Sequence, residues 1–459
     1  MTLNEHVLSL QDSLIAALQE NLRFPSVEGT PEPNAPYGAA VRSSLDHAAE
    51  TARKLGFEPV DVDGHVLWCE YGEGKEMVAV LGHLDVVPAG DGWTCDPFGG
   101  ELFDGKIWGR GSTDDKGPSF AALFALAALR DSGLPLSRRV RVILGCNEET
   151  GSQDLKYYKA HGGELPVMGF TPDGEYPVIN GEKGIITSVY AKTYHQDGPL
   201  ILTKIEGGTA GNVVPAYARA ELSCSRELAE SIARTQLSKV AFHVTNTGLT
   251  VEAEGVSAHG STPEQGENAI GRLLLALEQL PLSPEVWSAI RFLAQTIGMQ
   301  TGGENAGIAI SDAVSGGLSL NLGVISGDAS RLELKINYRY PVTKCYDDCA
   351  PILNRVFSED GFTLEQEFHK EGIFTPADSY LVRSLMEVYR RETGLPGEPH
   401  CIGGGTYAKM LPNTVAFGPI FPSEEIREHK ADEYISVDSL MKNAQIIAQA
   451  MYALAKGEE

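Results

Sequence analysis

The sequence has few cysteines, a minority of positive charges and no long apolar run. The 7 cysteines among 459 residues, an odd number spread along a long chain, do not form a disulfide framework. The 37 Lys and Arg against 62 Asp and Glu leave a net charge of −25, which excludes the cationic surface that a nucleic-acid backbone or an anionic lipid requires. No segment approaches the roughly 20 apolar residues of a membrane-spanning helix. We therefore expect a soluble, cytoplasmic protein with no nucleic-acid partner and no membrane partner.

What is present is enough apolar material for two domains. Hydrophobic residues make up 42% of the chain, and a single core usually stops growing near about 250–300 residues. Apolar runs at 77–81 and 140–144 flank a long Ala- and Leu-rich segment that begins at Gly117-Pro118, which predicts two buried strands around a helix. This β-α-β order predicts an α/β fold with a mainly parallel sheet flanked by helices.

The middle of the chain has a different pattern. Runs at 217–222 and 331–338 alternate apolar and polar residues, as half-exposed antiparallel strands do. Each run follows a turn rich in Gly or Asn, a weak repeat that suggests two related halves. We expect residues 187–374 to form an α+β domain, inserted into an α/β domain made of residues 1–186 and 375–459.

Metal-compatible side chains directly follow the predicted strands. In open α/β sheets, ligands bind just beyond the carboxyl ends of the strands, so these side chains are expected to converge. Carboxylates clustered without compensation repel one another, and a divalent cation removes that difficulty. Imidazole and carboxylate ligands suit Zn²⁺ and are compatible with Mn²⁺ or Co²⁺. The candidates are His83 and Asp85 after the first strand, Glu148 and Glu149 after the second, Asp173 after a third at 167–170, and Asp114 and Asp115 before the long helix.

Three blocks of this sequence resemble the signature blocks of the M20 metallopeptidases. They are Gly82-His-Leu-Asp-Val-Val-Pro88, Trp108-Gly-Arg-Gly-Ser-Thr-Asp-Asp-Lys-Gly117 and Cys146-Asn-Glu-Glu-Thr-Gly151. The likeness extends along essentially the whole chain and is closest to the PepV-type dipeptidases. It implies a catalytic α/β domain of the zinc-exopeptidase type, interrupted by an α+β lid domain at residues 187–374.

The same resemblance implies a set of metal ligands. Two Zn²⁺ per chain are expected, with Mn²⁺ or Co²⁺ as substitutes. His83 and Asp173 would hold the first ion. Glu149 and His429 would hold the second, and Asp114 would bridge both ions. A cis peptide bond after Asp114 is a further feature that the family implies.

Catalytic and substrate-binding roles are also carried over from the resemblance. Glu148 would be the general base that takes a proton from the attacking water and passes it to the leaving amine. Asp85 would accept the second N–H of the His83 imidazole and fix its tautomer. In the lid, His259 would donate a hydrogen bond to the oxyanion of the tetrahedral intermediate. The substrate-binding residues that the resemblance implies are Asn212, Arg339, Gly404 and Gly405.

These residues together predict a metal-dependent dipeptidase that acts on short unblocked peptides. The planar guanidinium of Arg339 suits a peptide's C-terminal carboxylate. The alternative is an N-acyl-amino-acid deacylase of the same family, of the acetylornithine or succinyl-diaminopimelate type, which needs the same metals and base. A catalytically silent binding protein would have lost Glu148 or a ligand, and all are present. Small relatives are dimers that borrow the lid histidine from a partner subunit, and because the insertion here is long, we expect a monomer.

Overall fold

The computed structural model describes residues 1–457 and divides into two compact units. The first unit comprises Met1–Gly181, Thr375–His400 and the chain from Gly405 onward, and the second comprises Glu182–Phe374 and Cys401–Gly404. Each unit has its own hydrophobic core. Among the described residues, no helix combines the length and the apolar character that crossing a membrane requires.

Helices and strands alternate through most of the chain. The α-helices are α1 Leu3–Ser9, α2 Gln11–Leu22, α3 Ala39–Lys54, α4 Lys116–Ser132, α5 Gln153–Ala160, α6 Arg226–Ile232, α7 Ala269–Leu277, α8 Pro284–Thr296, α9 Ala350–Glu359, α10 Tyr380–Thr393 and α11 Val437–Ala455. The strands are β1 Val60–Val62, β2 Val66–Tyr71, β3 Met77–His83, β4 Glu101–Phe103, β5 Lys106–Trp108, β6 Arg139–Gly145, β7 Met168–Thr171, β8 Ile179–Glu182, β9 Gly184–Thr193, β10 Leu200–Gly207, β11 Tyr217–Cys224, β12 Val240–Val244, β13 Gly248–Glu254, β14 Ser311–Asp312, β15 Gly316–Gly317, β16 Ser319–Asp328, β17 Arg331–Tyr340, β18 Thr363–Lys370, β19 Ile373–Phe374, β20 His400–Ile402, β21 Thr414–Ala416 and β22 Tyr434–Ser436.

The main sheet of the first unit is parallel at its centre. Its strands run in the order β1-β2-β6-β3-β7-β21, and the neighbours β6, β3, β7 and β21 are parallel, while β1 and β2 are antiparallel additions at one edge. Every residue of β3 is buried, as expected for a strand covered on both faces. The predicted α/β class with a mainly parallel sheet and flanking helices is confirmed.

Register and helix placement bring the candidate ligands to one edge of this sheet. His83 is the last residue of β3 and lies opposite Gly145, the last residue of β6. Helix α4 is buried over most of its length and packs against α1, α2 and α11. It ends at Gly133, whose φ of 66° is the left-handed conformation that suits glycine at a helix C-terminus.

The second unit is built on one antiparallel sheet with a symmetric strand order. The order is β12-β13-β11-β10-β16-β17-β9-β18, with β10 and β16 paired at the centre. Each half supplies an antiparallel pair (β10 with β11, β16 with β17), then a helix (α6 or α9), then an edge strand (β12 or β18) that pairs with an inner strand (β13 or β9). Helix α7 packs across β11, β13 and β16.

Candidate metal centre and active site

The first ligand group is formed around the buried His83. Its Nε2 lies 3.0 Å from Asp114 Oδ1 and 3.8 Å from Asp173 Oδ2. Asp114 lies two residues before the start of α4, and Asp173 follows the end of β7. The backbone N–H of His83 donates to Asp115 Oδ2 at 3.0 Å, and this bond holds the main chain that carries the imidazole. One histidine and two carboxylates therefore converge from three separate segments.

The second group shares Asp114 with the first. Nε2 of His429 lies 2.9 Å from Asp114 Oδ2 and 3.1 Å from Glu149 Oε1. His429 has a φ of 61°, a left-handed conformation that is uncommon for a residue with a side chain. The Asp114–Asp115 peptide bond is cis, as the resemblance implies. Each oxygen of Asp114 therefore faces a different imidazole.

The donor atoms fit a pair of small divalent ions. Within each group the ligand atoms lie within 4.8 Å of one another. Zn²⁺ binds nitrogen and oxygen at about 2.0–2.2 Å, so two ligands on one tetrahedral ion lie about 3.3–3.6 Å apart. The separations within the two groups run from 2.9 Å (His429 Nε2 to Asp114 Oδ2) to 3.8 Å (His83 Nε2 to Asp173 Oδ2) and so bracket that spacing. A nitrogen and oxygen donor set of this kind suits Zn²⁺, and also Mn²⁺ or Co²⁺.

The electrostatics of the cluster call for a positive charge. Burial raises the pKa of Asp114, but hydrogen bonds from His429 and His83 outweigh it and hold that pKa well below its usual range. Burial and the Asp114 charge raise the pKa of Asp173 well above normal and also raise the pKa of Glu149. Burial lowers the pKa of His429, but its bonds to Asp114 and Glu149 outweigh that and raise the pKa to about 11. Cations would let these carboxylates stay charged together.

Asp85 lies between His83 and the two adjacent glutamates. His83 Nδ1 lies 2.9 Å from the backbone carbonyl oxygen of Asp85, whereas the nearest carboxylate oxygen is 3.5 Å away. The carboxylate instead accepts the backbone N–H groups of Glu148 at 3.2 Å and Glu149 at 3.1 Å. The Asp85 carbonyl is therefore the nearer partner of His83 Nδ1, while the carboxylate also holds the backbone of the two glutamates.

Glu148 lies beside the metal cluster without belonging to either ligand group. It is half-buried, and its charge is among the causes that raise the pKa of Asp173, after burial and the charges nearer to it. Glu149, the next residue, belongs to the second group that could hold an ion. Adjacent side chains on an irregular segment diverge, so the pair presents one carboxylate to the cluster and one beside it.

The second unit brings its own candidate residues together. The backbone N–H of Gly260, next to His259, donates to the carbonyl of Asn212 at 2.7 Å. The ring of His259 is exposed, and its Nδ1 lies 2.6 Å from Ser261 Oγ. Ser261 in turn packs against Gly403, where an added Cβ would come within 2.7 Å of the serine Cβ.

Arg339 adjoins this group through Gly403. Its NH1 donates to the Gly403 carbonyl at 2.6 Å, and its Nε donates to Asn337 Oδ1 at 3.2 Å. The residue is only 4% exposed, and burial lowers the pKa of its guanidinium to about 10. Among residues 1–457, no carboxylate forms an ion pair with it. Gly404 belongs to the same unit, whereas Gly405 belongs to the first.

A family model for the peptidase family M20/M25/M40 matches residues 79–453. The chain belongs to this family. The protein named "Putative dipeptidase YtjP" of Bacillus subtilis (strain 168) is 37% identical over 461 residues, covering 98% of this chain and 99% of that protein. The Beta-Ala-Xaa dipeptidase of Lactobacillus delbrueckii subsp. lactis is 31% identical over 461 residues, covering 98% and 97%. Human carnosine dipeptidase 1 shares the fold, with a TM-score of 0.58, 18% identity and 99% and 98% coverage.

Membership of the M20 family makes the protein a peptidase, and the structure adds residues that sequence reasoning missed. Tyr407 is fully buried, its ring meets the His83 ring edge-on at 6.0 Å, and its hydroxyl donates to Asp154 Oδ2. Asp154 also accepts the backbone N–H groups of Cys146 at 2.6 Å and Asn147 at 2.8 Å. This pair supports the segment that precedes the two glutamates. The hydroxyl contact joins residues 253 positions apart, and no local pattern predicts it.

Glu428 is a second residue that the sequence did not single out. It precedes His429, and its Oε1 is buried without a hydrogen-bond partner among the described residues. Burial and the charge of Asp114 raise its pKa well above normal. Its carboxyl group is therefore close enough to Asp114 to interact with it electrostatically.

Proposed function

We propose that this M20 peptidase is a metal-dependent dipeptidase that uses two Zn²⁺ to cleave short unblocked peptides. The observation that carries the proposal is the shared carboxylate of Asp114, whose two oxygens face His83 at 3.0 Å and His429 at 2.9 Å. Two divalent ions held in this way activate a water molecule and polarise the peptide carbonyl. His83, Asp173, Glu149, His429 and the bridging Asp114 would hold them. The relatives named as dipeptidases support the same activity.

The chain's own residues divide the remaining chemistry. Glu148, held by its backbone N–H on Asp85, is assigned to accept a proton from the attacking water and deliver it to the leaving amine. His259 is assigned to donate a hydrogen bond to the developing oxyanion.

Substrate recognition is assigned to the second unit and the adjoining glycine turn. Arg339 is a buried guanidinium without a described carboxylate partner, and burying an uncompensated charge is costly. The C-terminal carboxylate of a peptide would supply that partner in a bidentate geometry. Asn212, Gly404 and Gly405 are assigned to contact the peptide backbone. A deacylase would bind the carboxylate of its substrate with the same guanidinium. The two functions therefore differ in whether the amine of the substrate is free or blocked.

The test is a substrate panel with metal-free protein to which Zn²⁺, Mn²⁺ or Co²⁺ has been added back. The panel contains α-dipeptides, β-alanyl dipeptides, tripeptides and N-acetylated amino acids. We expect unblocked dipeptides to be cleaved fastest. Faster turnover of the N-acetylated amino acids would instead establish the deacylase, and no turnover with any of the metals would reject both.

The metal count and Glu148→Ala test the mechanism separately. Mass spectrometry under native conditions is expected to find two Zn²⁺ per chain. Glu148→Ala should keep both ions and lose turnover by a factor of about 10²–10⁴ or more, the usual contribution of a general base. Glu101→Gln, an exposed glutamate on β4, is the matched control and should behave like the wild type. Loss of metal from Glu148→Ala would contradict the division between base and ligands.

The proposed setting is the cytoplasm. All seven cysteines are unpaired in the structure, which suits a reducing compartment. Fractionation of the producing cells checks this, and recovery of the activity outside the cytoplasmic fraction would contradict it.

A further inference from the structure

Glu433 is a fully buried carboxylate, 0% exposed, with an unusual set of donors. Its Oε1 accepts three backbone N–H groups, from Gly111 at 3.1 Å, Thr113 at 2.9 Å and Asp114 at 3.2 Å. Its Oε2 accepts NH1 of Arg110 at 2.6 Å. Converging backbone N–H groups form a cradle for an anion, and here the anion is a side chain of the same protein.

The donors all lie in the loop between β5 and α4 that presents Asp114. Glu433 itself lies on the segment that joins His429 to β22. Further bonds tie these two segments together: Gly109 N–H donates to the Glu433 carbonyl at 3.0 Å, and Thr113 Oγ donates to the Tyr434 carbonyl at 2.8 Å. Strand β22 also pairs with β5 in antiparallel register. The segments that hold Asp114 and His429, two ligands of the second metal group, are therefore joined through the carboxylate of Glu433.

The geometry points to Glu433 as a positioning residue for the second metal site. The loop arrangement that pairs all three N–H groups with the Glu433 carboxylate also turns the two oxygens of Asp114 toward the two imidazoles. Without the carboxylate, these N–H groups lose their partner, and buried unpaired N–H groups are unfavourable enough to reshape a loop. The inference rests on the proposed metal centre, but it concerns binding of the ions and not the reaction.

The competing explanation is that Glu433 only neutralises Arg110. Arg110 is 1% exposed, and an isolated buried guanidinium is unfavourable. On that view the site needs the negative charge of Glu433, and it does not need the hydrogen bonds that Glu433 accepts from the loop N–H groups. The first site offers an internal comparison, because His83 and Asp173 are held by other segments and share only Asp114 with the second.

Two double variants separate the acceptor from the charge. Arg110→Met with Glu433→Gln removes both charges but keeps a side-chain oxygen for the loop N–H groups. Arg110→Met with Glu433→Met removes the charges and the oxygen together. Zn²⁺ is titrated into each metal-free protein in competition with a chromophoric chelator, which yields two stepwise dissociation constants without any substrate. Circular dichroism checks that each variant is folded.

We expect the Glu433→Met double variant to weaken one of the two Zn²⁺ steps by about 10–100-fold relative to the Glu433→Gln double variant, as loss of a group that orients metal ligands usually does. The other step should weaken clearly less, because the first site shares only Asp114 with the loop that Glu433 holds. Equal constants in the two variants, or equal weakening of both steps, would overturn the inference. Because no peptide is involved, failure of the proposed dipeptidase activity would leave this result interpretable.

Amide hydrogen exchange on the wild-type protein provides a test that needs no variant. If Glu433 holds the loop before metal binds, the amides of residues 111–114 are protected in the metal-free protein nearly as well as with Zn²⁺. Fast exchange at these amides without metal, with protection only after Zn²⁺ is added, would show that the ion and not Glu433 orders the loop.

Discussion

At the scale of single residues, Asp154 accepts hydrogen bonds from the backbone of Cys146 and Asn147, just before the two glutamates, and its pKa is shifted. Burial, and then the charge of Asp85, raise the pKa of Asp154 to about 6, whereas the ordinary value is 3.8. The folded protein therefore binds a proton between these pH values that the unfolded chain releases. It follows that the contribution of this group to the free energy of unfolding falls as the pH rises from about 4 to about 6.

We predict that Asp154→Asn flattens this pH dependence. Between about pH 4 and about pH 6, the titration of Asp154 changes the free energy of unfolding by at most about 3 kcal/mol. Denaturant unfolding at several pH values in the presence of a chelator measures it, and the difference between variant and wild type removes the titration of all other groups. A variant that is less stable by the same amount at every pH would show that Asp154 does not titrate in this range.

Arg339 allows a second residue-scale prediction that depends on the substrate's terminus. Arg339→Met should lower kcat/KM for free dipeptides by about 10–100-fold, because a hydrogen bond to a charged group contributes about 1.5–3 kcal/mol. The same substitution should change little for dipeptide amides, which lack the carboxylate. Steady-state kinetics on both substrate classes completes the comparison. An equal loss on both would place Arg339 away from the carboxylate.

At the scale of elements, the strands of the first unit and the positions of their ends could be predicted from the sequence. A strand buried on both faces has a continuous apolar run, and the residues after it fall at one edge of a parallel sheet. This is why the positions of His83 at the end of β3, and of Glu149 and Asp173 beyond β6 and β7, could be anticipated from sequence. Their assignment as ligands rests on the family resemblance and stays a prediction.

The contacts that hold the candidate ligands in place could not be predicted from the sequence in the same way. Glu433 reaches Arg110 across 323 positions, and nothing in the local sequence indicates that its carboxylate faces a loop. The sequence indicated Asp85 as a neighbour of His83, but not that its backbone carbonyl lies nearer to Nδ1 than its carboxylate does, because a sequence pattern does not distinguish a backbone contact from a side-chain contact. The symmetric strand order of the second unit agrees with the weak repeat, and we infer that its two halves are related.

The junction between the Asp114 loop and α4 gives an element-scale prediction. A Cβ at Gly117 would lie 2.1 Å from the Ser112 carbonyl oxygen, a backbone atom that cannot rotate away. Gly117→Ala should therefore displace the loop, destabilise the protein by about 1–3 kcal/mol and weaken Zn²⁺ binding. Thermal unfolding and chelator competition measure the two effects.

The matched control for that prediction is Gly317→Ala. An added Cβ there meets no atom within 4 Å, so the same substitution should leave stability and Zn²⁺ binding unchanged. If Gly117→Ala were as stable as the control, the loop would be able to shift without cost, and the close approach would not matter for the site.

At the scale of the whole molecule, one chain carries every residue assigned to the reaction. The proposed ligands and base belong to the first unit, and His259 and Arg339 belong to the second. The net charge of −25 opposes association of like chains. The sheet of the second unit does expose an edge, β18, where Phe368 is 63% exposed. Glu365 and Lys370 on that strand are charges of the kind that hinder edge-to-edge pairing.

We therefore predict a monomer whose activity survives dilution. Light scattering should find the mass of one chain, 49.3 kDa, and specific activity should be constant over a wide range of protein concentration. A dimer that loses activity on dilution would show that a partner completes the site. In that case Phe368→Glu would locate the contact, because a dimer joined through β18 should dissociate when a charge replaces the exposed ring, whereas a dimer joined elsewhere should be unaffected.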